Sequence, residues 1–247
     1  MMRNRLLLCL LCLLCLLSPQ SWSDERGAER LSELGSRSQL LCASAMIYFN
    51  PAERSPDPRG LSAAFWHLNT MDAYVVQLGQ PDALVQPLRA MKRVFETLDR
   101  MPPAQRQRYP ELIRQLLGHQ QQLQQAAAAA SAGTGASPAA ELGAQSQALA
   151  RLLLDYQVRH YPLPDKAEWL LTAPQVRALD QAVEQRFERL LARHAEHAAV
   201  LGKARANYQF VRAKLQQAAG GASSGAEFYL SRAVIDLDEL AMALPTP

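Results

Sequence analysis

The chain has 247 residues, 49% hydrophobic, 20% charged and only 6% aromatic, with a formal charge of +3. That balance excludes a wholly disordered polymer, and the length suffices to bury a core without disulfide or metal staples. Sparse aromatics and an abundance of Ala, Leu, Gln, Arg and Glu favour helices over a β-sandwich or barrel.

The first 23 residues read as a secretory leader. Arg3 and Arg5 precede an unbroken Leu/Cys run from Leu6 to Leu17, then Ser18-Pro19 and a Ser21-Trp22-Ser23 cleavage pattern. A run of twelve is too short to span a bilayer, which takes about 20 residues. Cys9, Cys12 and Cys15 sit inside this run as apolar filler. Cleavage after Ser23 leaves 24 basic and 23 acidic residues, a formal charge of +1, and one cysteine, Cys42. The expected product is periplasmic or secreted, with no transmembrane span and no internal disulfide. It also lacks the basic stripe that a nucleic acid would require. A bias of 22 Arg against 4 Lys, with no N-x-S/T site, points to a bacterial source.

Helical periodicity then runs the length of the chain. The first helix, over residues 28–49, carries a seven-residue seam of Leu34, Leu41 and Tyr48. The second carries Leu61, Phe65, Leu68, Met71, Val75 and Leu78, and stops at Gly79 and Pro81. The third runs through Leu84, Leu88, Met91, Phe95 and Leu98, and the fourth through Leu112, Ile113, Leu116 and Leu123. A flexible Ala/Gly/Ser-rich loop is expected near 128–139, separating two halves. A helix through Leu142, Leu149 and Leu153 follows, interrupted at Tyr161-Pro162-Leu163-Pro164. From Pro174 the seam Val183, Phe187, Leu190, His194, His197, Leu201, Tyr208 and Leu215 predicts one helix of about 40 residues, roughly 60 Å long. Gly202 is its one weak point. A last helix carries Phe228, Leu230, Val234, Leu237 and Ala241.

The reading is therefore all-α: an antiparallel, partly elongated helical bundle of six to seven helices over residues 24–247, behind a cleaved signal peptide. Trp66 and Trp169 are expected to anchor its core, and Cys42 to be a small buried residue. Open seven-residue seams also allow a homodimer.

The feature closest to chemistry is His194-Ala195-Glu196-His197. Two imidazoles three apart share a helix face and fall on the apolar seam, where a bare imidazole is costly. One reading is a metal site for zinc or copper, completed by Asp236, Asp238 or Glu239 from a facing helix. The other leaves both rings solvated, since neither H-E-x-x-H nor the paired E-x-x-H pattern is present. The acidic stretch Asp236–Glu239 reads as a solvated face, with Arg232 pairing to Asp236. G-x-S-x-G, G-x-G-x-x-G, a Walker loop and C-x-x-C-H are all missing, so no catalytic residue is assigned.

Gly35-Ser36-Arg37-Ser38-Gln39-Leu40-Leu41 resembles the start of the periplasmic helical sensor domains of nitrate-responsive kinases and pilus chemotransducers, whose first helix carries an Arg-rich segment ending in Met-Leu. Arg37 and Leu40-Leu41 carry the similarity, and no ligand or site residue is transferred from it. The functional expectation is a non-enzymatic exported bundle that binds a protein partner or a small-molecule ligand, an interaction or ligand-sensing accessory protein of the bacterial periplasm. The alternative is a metal-binding bundle using His194 and His197.

Overall fold

The computed structural model describes residues 20–53, 55–132, 137–217 and 224–244. Within them the chain is all-helical, with no strand. The described helices are α1 (Gln20–Tyr48), α2 (Pro58–Gln77), α3 (Asp82–Asp99), α4 (Tyr109–Ala130), α5 (Pro138–His160), α6 (Ala173–Arg193), α7 (Ala198–Gln216) and α8 (Ser224–Ala243). Short 3-10 turns cover Pro103–Arg108, Lys166–Trp169 and Ala195–His197. Of the expected leader, residues 1–19 lie outside the described residues.

Local signals set most of the boundaries. Asp57 accepts from the Arg59 N–H at the start of α2, with Pro58 in the first helical position. Ser137 accepts from the Ala140 N–H ahead of Pro138 in α5. Thr172 and Gln175 form a reciprocal capping box at α6. Gly79, at φ +81°, ends α2 in the left-handed conformation that closes a helix, and the Gln80 N–H reaches back to the Val75 carbonyl. The loop expected over 128–139 is shorter than expected, because Ala128–Ala130 belong to α4 and Pro138-Ala139 to α5. Residues 133–136 lie outside the described residues.

The predicted 40-residue helix does not form. His194 leaves the helical conformation (φ −121°, ψ 56°), a 3-10 turn follows, and the chain reverses. Arg205 pairs with Glu184 (2.8 Å), and Arg212 grips Asp180 through Nε and Nη2 (2.8 and 2.6 Å), so α6 and α7 run antiparallel. Among the described residues eight helices stand against the expected six to seven for this reason. The seam remained continuous in spacing because both arms of the hairpin face one core: Phe187 and Leu190 from α6, Leu201 and Tyr208 from α7, all fully buried.

The buried side chains form two clusters. One gathers Leu34, Leu41 and Met46 of α1 with Met71 of α2, Phe95 of α3 and Ile113 of α4. The other gathers Leu149 and Leu153 of α5 with the α6–α7 hairpin and Leu230, Val234 and Leu237 of α8. Helices α1 and α5 belong to both: Leu154 and Val158 of α5 enter the first, Leu40 and Ala43 of α1 the second. Helix α1 is accordingly buried on every side from Glu33 to Met46. Each fully buried Leu contributes about 1.5–3 kcal/mol of transfer free energy.

Close approach of α1 to α5 depends on glycine. A Cβ on Gly143 would lie 3.1 Å from the Ser32 Cβ and collide with its hydroxyl, which Gln147 already holds (2.9 Å). Gly202, inside α7, meets nothing within 4 Å. The same substitution should therefore have opposite signs at the two sites. Gly143→Ala is expected to lower unfolding free energy by about 1–2 kcal/mol through overpacking. Gly202→Ala should raise it by up to about 1 kcal/mol through helix propensity. Urea unfolding of both variants checks this.

Candidate functional site

The central stretch of α1 is polar, although it is the most enclosed helix. Glu33, Ser36, Arg37, Ser38 and Gln39 are all buried, and Arg37 is 2% exposed. A buried guanidinium needs counter-charge and acceptors. Arg37 Nη2 and Nε donate to Glu33 Oε1 at 2.7 and 3.1 Å, one turn back on the same helix. Its Nε lies 3.7 Å from Asp238 Oδ2 of α8. The Trp66 ring of α2 covers the guanidinium, with Cζ 4.4 Å from the ring centroid.

Asp238 is itself held from two helices. Ser36 Oγ of α1 donates to Oδ2 at 2.8 Å, and Ser146 Oγ of α5 donates to Oδ1. The cluster thus ties α1, α2, α5 and α8 around one point. It contains two carboxylates against one guanidinium. Burial first, and the Glu33 carboxylate second, push Asp238 up to about 7, while Arg37 and the two serine hydroxyls oppose the shift. His67, beside Trp66 on α2, is buried and pushed down to about 3 by burial and then by Arg37, so its ring is neutral. Burial and the facing Glu33 carboxyl raise the Tyr74 phenol.

A cavity of about 260 Å³ opens against this cluster between α1, α4, α5 and α8. Its walls are mostly small residues, among them Ala127, Ala139, Gly143 and Ala241. Its polar groups include Glu33 and Asp238 at the buried end, with Ser32, Gln124 and Gln147 along the sides. Gln124 belongs to a polar ladder between α1 and α4, accepting from Gln39 (2.9 Å) and Gln120 (2.7 Å). Ala128, Ala140 and Ala144 line the cavity and are exposed, which places its mouth on the α4–α5 side.

The histidines singled out by the seam lie elsewhere. His194 ends α6 and His197 ends the following turn, with ring centroids 6.5 Å apart. Glu196 Oε1 is 3.6 Å from His194 Nδ1 and 3.7 Å from His197 Nε2. The carboxylates considered as their partners are engaged in other contacts. Asp236 pairs with Arg232 and Lys203, both at 3.0 Å, and Asp238 belongs to the Arg37 cluster. The Lys203–Asp236 and Phe210–Tyr229 pairs set an antiparallel register in which His197 lies beyond Glu239 along α8. Among the described residues, no group of three or more His, Cys, Asp or Glu side chains could hold a metal ion.

Three further expectations are settled by position. Trp66 is 44% exposed, as the cover on Arg37 and not a core anchor. Asp238 is fully buried and not part of a solvated face. Cys42 is a free, buried thiol whose pKa burial raises. Sequence reasoning missed Glu33, Arg37, Ser146 and Asp238 as a cluster. A usable signal existed for Asp238, which lies four residues after Val234 and three before Ala241 on the apolar stripe of α8. No helix among the described residues is long and apolar enough to cross a membrane. No family model, curated protein or solved structure matches the chain.

Asp238 makes the fold pH-sensitive with a definite sign. Its folded pKa lies above its ordinary value of 3.8, so the native state holds a proton that the unfolded chain releases. Stability from this group is full below about pH 4 and declines as pH rises toward and through about 7. Asp238→Asn, which still offers an acceptor to Ser36 or Ser146, should abolish this slope. Urea midpoints at pH 5 and pH 8 should converge in the variant and fall with pH in the parent chain.

Proposed function

We propose that the chain is an exported antiparallel helical bundle, freed of its leader by cleavage after Ser23, that works in the bacterial periplasm as a non-enzymatic ligand-binding accessory protein. One observation carries this reading: the cavity between α1, α4, α5 and α8, walled by small side chains and ending on buried polar groups. Apolar walls with a few convergent polar groups are the common composition of small-molecule sites, and the volume of about 260 Å³ falls just below their usual range of about 300–1,000 Å³. The leader pattern and the near-neutral remainder support export. Four helices from both halves of the chain line the cavity, so an occupant would bias their relative packing, as ligand sensing requires.

Thermal unfolding against a panel of amino acids, aliphatic amines, carboxylic acids and simple sugars tests the reading. At least one class should raise the melting temperature by several degrees at millimolar concentration. Ala144→Trp, placed at the mouth, should remove that shift while leaving the unliganded melting temperature within a few degrees. A panel that shifts neither protein would overturn ligand binding at this site.

A further inference from the structure

We propose that the cavity takes a small organic cation, an alkylammonium or alkylguanidinium group, whose charge is received between Glu33 and Asp238. The inference rests on the cavity being a ligand site and names the chemistry of what enters it.

The first support is the charge of the wall. Glu33 and Asp238 line the buried end of the cavity, and no Lys, Arg or His lines it. An anion entering it would meet carboxylates with no basic side chain to receive it. The second is an unbalanced buried count. Glu33 and Asp238 are 4% and 2% exposed, and the one guanidinium between them, Arg37, carries a single charge. Burial first and the Glu33 carboxylate second favour a proton on Asp238, pushing it up to about 7. A ligand cation would take over the role of that proton. The third is an open acceptor. Glu33 uses Oε1 for both Arg37 contacts; its Oε2 is buried without a hydrogen bond at bonding geometry, as is Arg37 Nη1, and the Tyr74 phenol of α2 faces the same carboxyl. Buried acceptors of this kind cost free energy until they are met by a donor.

The walls select an organic cation over a bare ion. Ala28, Ala127, Ala139 and Ala241 offer apolar surface to a short alkyl chain. A hydrated divalent ion would instead need several oxygen ligands at close range.

The charged and titratable groups facing Asp238 are few and fixed. Glu33 and Arg37 come from α1, and Tyr74 comes from α2. Ser146 of α5 is uncharged, and Lys203 of α7 is held by Asp236. Binding of the cation then releases the Asp238 proton. Apparent affinity should rise about tenfold between pH 6 and pH 8, as linkage to a group titrating near 7 demands.

The test is isothermal titration of the full chain with n-butylamine, n-butanoate and magnesium chloride as separate probes, repeated at pH 6, 7 and 8. At pH 7 the titration is repeated in two buffers of different ionisation enthalpy. The expected result is that butylamine binds, tightens about tenfold from pH 6 to pH 8 and releases protons to buffer. Asp238→Asn should weaken it at least tenfold and remove the proton release, and Ala144→Trp should block it without touching the cluster. Butanoate binding in place of butylamine overturns the cation assignment and leaves the cavity a ligand site. Magnesium binding as tightly as butylamine overturns the organic class. Should no probe bind while the wider panel still shifts the melting temperature, this inference alone fails; if the panel fails too, both fall.

Discussion

A single buried guanidinium determines where four helices of this protein must lie. Arg37 sits on a helix stretch that is enclosed on all sides, and removing a partner from a buried ion pair costs about 3–5 kcal/mol. Its partners are spread over the chain: Glu33 on its own helix, Asp238 some 200 residues later on α8, and Trp66 on α2. Ser146 of α5 then holds Asp238 in place. Apolar burial between α1 and α5 would be satisfied by several registers, because it is not directional. Hydrogen bonds to a fixed carboxylate are directional and admit far fewer.

The cavity follows from the same arrangement. Gly143 allows α1 and α5 to approach until Ser32 meets the backbone of α5, and Gln147 ties the two together at that level. Where α4 and α8 complete the ring, Ala127, Ala128 and Ala241 stand beside Gln124 and Asp238, and the alanines are too short to fill the space. Larger residues there would close the void and gain dispersion energy. Small residues thus do two jobs, bringing two helices close and keeping two others from sealing the gap.

Much of the helix pattern was legible because it rests on local physics. The spacing of Leu84, Leu88, Met91, Phe95 and Leu98 describes α3, and all five are buried. Gly79, Pro81, Pro162 and Pro164 mark breaks that the backbone does make, whereas Pro87 is carried inside α3. The α6–α7 hairpin was illegible for a specific reason: its turn contains neither Gly nor Pro, and the four-and-three alternation passes through it unbroken. A subtler cue was present, in that Arg193 and His194 at the end of one helix are followed by Glu196 in the 3-10 turn ahead of the next, the charge order of a helix junction. The Arg37 cluster was hidden differently. Ser36-Arg37-Ser38-Gln39 has the composition of a surface, and only tertiary packing on all sides of α1 makes it an interior. No periodicity reports how many neighbours a helix will have, so Glu33, which lies between Arg30 and Leu34, looked no different from any solvated residue.

Overall charge is a poor guide to this interior. Residues 24–247 are nearly neutral, yet they bury two carboxylates and one guanidinium together. A carboxyl whose folded state prefers the proton is a stability loss at neutral pH and above. Leucine in place of Asp238 would remove that loss and pack against its apolar neighbours, while leaving Ser36 and Ser146 without their acceptor and Arg37 with one counter-charge. Alone, the Glu33–Arg37 pair already balances. The second carboxylate is therefore surplus to the fold's own electrostatics, and its position on the wall of a cavity is where a surplus negative charge can be used. Structural ion pairs neutralise one another and close; here one carboxylate is left to favour a proton, and it lines a cavity beside Glu33.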